Sequence, residues 1–166
     1  MRLTVGTKVI YPSQGPCLIG SIVEKVIAGS PVRFYQLELL DDSNGELFVP
    51  VEKAQASGLR RLLSKSEIPN LLSQLKQPAS AAKDWKQRAS DNSKRLASGS
   101  VFDLAEIIKS LTALSERKDL SFHESRMLGK AKKLLVDEIA VVLRETKSAA
   151  EELIDQALKA RKIVGD

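Results

Sequence analysis

Two different periods run along the chain. Val9–Tyr11 is a short apolar run that enters P-S-Q-G-P, a strong turn signal. The stretch L-I-G-S-I-V-E-K-V-I, residues 18–27, alternates loosely and stops at A-G-S-P. Residues 34–40 alternate cleanly, with Phe34, Gln36 and Glu38 on one face and Tyr35, Leu37 and Leu39 on the other. D-D-S-N-G at 41–45 then predicts a hairpin turn, with Asn44 and Gly45 supplying positive φ angles, and L-F-V-P-V at 47–51 predicts the returning strand. Short strands punctuated by Gly and Pro predict a small curled sheet or barrel.

From Ser64 onward the period is helical. Ser64 with Glu67 forms a capping box for a short helix ending near Lys76. Gln77–Ala82, broken by Pro78, is a linker or a helix start, and a second helix is predicted from about 80 to 97 with Gly99 as its stop. Ser100 with Asp103 is expected to cap a third, whose stripe is Val101, Leu104, Ile107, Ile108, Leu111 and Leu114. Ser121 with Glu124 caps a long fourth helix with Leu128, Ala131, Leu135, Ile139 and Val142 on one side. Ser148 with Glu151 is expected to cap the last, through about 162, carrying Leu153, Ile154, Ala157 and Leu158. Amphipathic helices with short connections pack most economically as an antiparallel bundle. The expected architecture is therefore α+β: a small β-barrel over residues 1–64 and a helical bundle over 65–166.

Composition narrows the setting. With 43% hydrophobic and 28% charged residues among 166, the chain reads as an ordinary globular protein. No apolar run approaches the roughly 20 residues that span a bilayer, and the N-terminus lacks a secretory signal. A single cysteine, Cys17, fits a cytoplasmic setting. The net charge of +5 is unevenly placed. Lys76–Arg95 holds six cations against two acids, and Ser125–Val136 holds four cations and no acid. The positive charge belongs to the helical half and suggests an anionic partner.

Catalytic chemistry finds little support. One histidine, His123, and one cysteine lack an orienting third group, metal-ligand spacing is missing, and no phosphate-loop or dinucleotide motif occurs. No cofactor or metal is expected. The distinctive feature is K-D-W-K-Q-R at 83–88, where the only tryptophan lies among cations. The spacing of Ala82, Trp85, Ala89, Ser93 and Leu96 suits a core position. The neighbouring Lys86 and Arg88 suit an aromatic probe on a phosphate-tracking surface. Both readings stand on the residues alone.

In its ordered motifs the sequence resembles the CarD/CdnL-like bacterial transcription regulators over roughly residues 5–160. The matching pieces are V-I-Y-P-S-Q-G at 9–15, V-P-V-E-K-A at 49–54 with G-L-R at 58–60, the tryptophan of D-W-K-Q-R, L-A-S-G-S-V at 96–101 and L-S-F-H-E-S-R-M-L-G-K-A-K-K-L-L-V-D-E-I-A at 120–140. The resemblance implies a Tudor-like N-terminal domain that binds the β subunit of RNA polymerase by pairing the strand at Leu47, Phe48, Val49 and Pro50, with Lys25 facing the polymerase. It further implies a non-catalytic helical domain that stabilises the promoter open complex, the tryptophan matching Trp85 wedging into the minor groove. The DNA-contacting candidates are Lys83, Trp85, Lys86, Arg88 and Lys94, with largely sequence-independent binding to promoter DNA. Gln87, Ala89 and Ser90 stand where the family often has basic or aromatic residues, and Phe48 where some members are basic. The implied location is the cytoplasm, at the nucleoid through RNA polymerase. A monomer is expected, with a domain-swapped dimer as the alternative. The competing function is a protein-interaction adaptor in which Trp85 is buried and touches no DNA.

Overall fold

The computed structural model describes residues 3–41, 43–79 and 84–161. The chain divides into two compact units, residues 1–62 and 63–166. Each has its own apolar core.

The first unit is a five-stranded antiparallel sheet. Its strands are β1 (Lys8–Tyr11), β2 (Gly15–Ile27), β3 (Ser30–Leu39), β4 (Glu46–Pro50) and β5 (Arg60–Arg61), in the spatial order β4-β3-β2-β1-β5. The alternation in β3 is realised: Tyr35 and Leu37 are buried with Val9, Cys17, Ile19 and Val49, while Phe34, Gln36 and Glu38 lie on the other face. The β2–β3 ladder shifts register between Ile19 and Ser21, a bulge that bends the long strand. Beyond Val23 and Phe34 the two strands continue as an exposed arm, closed by a two-residue turn between Ile27 and Ser30. Both turn residues have positive φ, 51° for Ala28 and 81° for Gly29, as a primed hairpin turn requires. At the β3–β4 turn Asn44 alone among the described residues adopts positive φ, 54°; Gly45 does not. Gly45 instead accepts from the Leu39 N–H at 2.9 Å. Gly58 sits at φ 88° with a would-be Cβ 2.7 Å from the Pro12 ring, so glycine alone fits beside that turn.

The second unit holds α1 (Ile68–Leu75), α2 (Trp85–Ser98), α3 (Val101–Ser115), α4 (Phe122–Leu143) and α5 (Lys147–Lys159). Helix α3 packs on α4, α1 and α2, and α5 packs on α4 and α1. Ile107, Ile108, Leu111, Leu135, Ile139 and Ile154 are fully enclosed between them. The predicted caps at Ser64 and Ser121 form. Glu67 Oε1 accepts from the Ser64 hydroxyl at 2.8 Å, and the Ser121 hydroxyl accepts from the Glu124 N–H at 3.1 Å. Ser100 caps α3 through the Phe102 N–H, but Asp103 accepts from Ser98 instead of completing a box. Gly99 ends α2 in the left-handed region at φ 73°. Helix α5 begins earlier than expected. Thr146, not Ser148, is its N-cap, accepting from the Ala149 N–H at 3.0 Å. The buried Glu138 carboxylate accepts from the Leu63 N–H at 2.8 Å and so fastens the first residue of this unit onto α4.

Candidate functional site

Helix α2 starts later than its periodicity suggested, and this decides where Trp85 goes. Asp84 is extended (ψ 162°) and its carboxylate accepts from the Gln87 N–H at 2.8 Å, so the helix begins at Trp85. In that first position the indole stands 66% exposed. The core-position reading of Trp85, and with it the competing picture of a buried tryptophan, does not hold. The core-facing places on α2 belong to Asn92, which is buried, and to Leu96, which packs against the bundle core. The Lys86 ammonium lies 5.7 Å from the indole centroid, within cation–π range.

The cations around Trp85 divide. Lys86 and Lys94 are exposed. Arg88 instead bonds the Glu124 carboxylate of α4 at 3.2 Å, each side chain only 17% exposed. Burial alone would raise the Glu124 carboxyl; the Ser121 N–H and the Arg88 guanidinium outweigh it and hold the group below its ordinary range. Lys83 lies outside the described residues.

The second cationic stretch, Arg126 to Lys133, is not one open patch. Lys132 reaches α5 and pairs with Asp155 at 2.8 Å and Glu151 at 3.4 Å. Burial works against its charge, but those two carboxylates prevail and raise its pKa. Lys133 pairs with Asp137 at 3.0 Å. Arg126 sits 5.6 Å from the ring centroid of Phe122, which is 78% exposed at the start of α4. An exposed aromatic under a cation thus occurs at the first residue of two helices, and only Trp85 carried an obvious sequence signal.

On the sheet unit, β4 is an edge strand with Phe48 opposite Gln36 and Pro50 opposite Phe34. The Leu39–Gly45 bond fixes the alternation of the ladder. The backbone groups of Leu47 and Val49 face β3, and those of Glu46, Phe48 and Pro50 face the open edge. Proline there has no N–H to leave unpaired. Val49 is buried in the sheet core and Leu47 is half-buried against it. Phe48 is on the other face, 41% exposed, and is not a core ring. Lys25 lies over it at 4.1 Å and over Phe34 at 5.8 Å. The open edge is thus flanked by a cation held on two rings, an arrangement suited to a partner strand carrying acidic side chains.

A groove of about 550 Å³ opens beside Trp85, between α2, the α3–α4 connection and the start of α4. Its walls are Ala89, Leu111, Leu120 and Met127. Asn92 lines it although only 5% exposed. An asparagine on a polar helix gives no sequence signal of such a place.

Comparison with known proteins agrees with this two-part layout. Residues 3–63 match the CarD-like/TRCF RID domain, and residues 68–155 match the CarD C-terminal domain. The chain is 24% identical over 139 residues to the YdeB protein of Bacillus subtilis (strain 168), spanning 83% of this chain and 90% of the relative. It is 35% identical to the 72-residue N-terminal domain of Myxococcus xanthus CarD, whose solution NMR structure is matched over 36% of this chain and 79% of that one with a TM-score of 0.32. No helix among the described residues is long and apolar enough to cross a membrane. An RNA-polymerase-interacting domain followed by a CarD C-terminal domain makes this chain a member of the CarD family of non-catalytic transcription regulators.

Proposed function

We propose that the chain binds the β subunit of RNA polymerase along the open edge of β4 and stabilises the promoter open complex by placing Trp85 in the minor groove at the upstream end of the melted DNA. The observation that carries this reading is the indole itself, two-thirds exposed at the head of α2 with a lysine over its face. Leaving a large aromatic in water costs solubility and gains nothing for folding. Its use lies with a partner that offers a flat apolar step. Where bases are already parted, an inserted ring avoids an unstacking cost of a few kcal/mol. The gain exists only in the open state, and that differential shifts the equilibrium; about 1.4 kcal/mol gives roughly tenfold more open complex. The indole N–H faces a groove poor in sequence information, which suits action at many promoters.

Phosphate contacts fall to Lys83, Lys86 and Lys94, with Arg88 holding α2 against α4. Roughly three such contacts give a log–log salt slope near −2.7 for DNA binding. On the sheet unit, main-chain bonds from Glu46 and Phe48 add the polymerase strand, and Lys25 steadies an acidic side chain on it.

The test is Trp85→Ala in the full chain. Two-thirds exposure means that folding loses far less than the roughly 3–5 kcal/mol of a buried tryptophan. Polymerase binding should persist while the lifetime of the open complex falls about tenfold. A variant that keeps the lifetime, or loses polymerase binding along with it, overturns the proposal.

A further inference from the structure

The outer face of the β3–β4 ladder is electrically polarised. At one end Glu38 and Glu46 stand directly opposite each other. Their backbones do not bond across that pair, so the side chains approach more closely than at the alternate positions. Like charges placed so destabilise a sheet. Both residues are exposed, and no ion pair joins either carboxylate to a cation among the described residues. A hydrogen-bonded row across three strands holds one of them in place. The Ser21 hydroxyl of β2 donates to Gln36 Oε1 of β3 at 3.0 Å, and Gln36 Nε2 donates to Glu46 Oε2 of β4 at 2.7 Å. Gly20 makes room for this row: a Cβ there would lie 2.5 Å from Glu38 Oε1 and 2.7 Å from Gln36 Oε1. The Glu46 carboxylate is thereby positioned at the open edge of the sheet. Toward the other end of the same face, the Lys25 ammonium leans over Phe34 and Phe48.

We propose that the Glu46 side chain selects the register of the polymerase strand: the strand added to β4 carries a lysine or arginine opposite Glu46 and an acidic residue four positions away, beside Lys25. This deepens the edge-pairing reading given above and rests on it. Residues directly opposite across a ladder share a face, so the guest side chains paired with Glu46, Phe48 and Pro50 project on the side where those three lie. Four residues of extended chain cover about 13 Å. Over that length the host presents a negative charge, an aromatic ring and then a positive charge. Main-chain bonds hold any strand in any register, and side chains supply the choice. A slip of one residue turns the guest charges to the opposite face, and a slip of two parts them from their partners. A basic guest residue also answers the Glu38–Glu46 repulsion, which the free chain carries with no return to its own folding. A local rule broken in the free protein and satisfied by a partner marks a binding position.

The experiment measures Kd of the full chain for RNA polymerase holoenzyme at low and high salt, together with Tm of each variant. Glu46→Gln keeps the acceptor for Gln36 and removes the charge. It should leave Tm unchanged or raised and weaken binding about threefold. Glu46→Lys should weaken binding at least about tenfold, and both losses should shrink at high salt. Lysines and arginines on exposed strand edges of the β subunit are then replaced by glutamate one at a time, and one position should restore the binding of Glu46→Lys. Phe48→Pro removes the N–H that faces the open edge, at a place where an edge strand tolerates proline, and so reports on the edge itself. Weakened binding in Phe48→Pro with wild-type affinity in Glu46→Lys overturns the charge selection and leaves the edge standing. Wild-type affinity in both removes the edge as well. A loss in Glu46→Lys that no β-subunit replacement restores overturns the proposal. So does self-association of Glu46→Gln at unchanged polymerase affinity, which would assign the acid to keeping copies of the chain apart.

Discussion

Arg88 was expected among the phosphate contacts, yet its guanidinium meets the Glu124 carboxylate at 3.2 Å. The perturbation is a double-mutant cycle of Arg88→Met, which keeps most of the aliphatic stem, and Glu124→Gln, which keeps the shape of the Ser121 capping box. Exposed ion pairs contribute about 0.2–1 kcal/mol, and charge-assisted hydrogen bonds about 1.5–3. With both side chains 17% exposed, this pair belongs between those ranges. The expected coupling is about 1–1.5 kcal/mol at neutral pH. For a unit of this size each kcal/mol moves Tm by about 4–8 °C. The carboxyl adds a second readout. Its folded pKa is depressed, so its contribution is complete above the unfolded value near about 4.3 and is lost as pH falls through the lower folded value. The cycle should therefore give a smaller coupling at about pH 3 than at pH 7. Urea unfolding followed by the helical signal measures both. A coupling under about 0.3 kcal/mol, together with a DNA salt slope shallower by about 0.9 in Arg88→Met, would refute the clamp and return Arg88 to the phosphates.

Three further outcomes are expected. Ala28→Asn should stabilise the sheet unit by about 0.5–1 kcal/mol, because asparagine tolerates the left-handed backbone that alanine adopts at φ 51°; an unchanged or lower Tm would contradict this. The Cys17 thiol, fully buried and pushed up to about 11 chiefly by that burial, should react with a thiol reagent at neutral pH only as fast as the sheet unit opens; rapid labelling of the folded chain would refute it. Glu138→Leu should cost at least about 1–3 kcal/mol, since it orphans the Leu63 N–H in a buried place; an unchanged urea midpoint would show that this carboxylate holds nothing.

Much of the fold was legible because its signals are local. Ser64–Glu67 and Ser121–Glu124 announce helix starts through bonds formed within four residues, and the alternation of β3 names its buried face. The errors share a cause, which is competition between neighbouring local options. Thr146 comes before Ser148 at the reversal after Arg144, and the first available hydroxyl takes the cap. Asp84 ends the approach to α2 and converts Trp85 from a stripe member into a first-turn residue facing water. The helical period predicted a seam but not its starting point. The charge clusters were legible as counts and illegible as surfaces, because the ion pairs of Lys132 with Asp155 and of Arg88 with Glu124 join residues far apart in the chain. Asn92 gave no warning, since its burial depends on α2 meeting its neighbours.

The brevity of β4 has its own result. A strand of five residues that ends in proline and begins in glutamate offers a guest two full amide units and one carbonyl. That is enough to seat a short visitor and too little to seed an endless stack of copies, and the acid at one end repels a second chain laid against it in the same register. The short edge can therefore stay uncovered without growing into stacked copies of the chain.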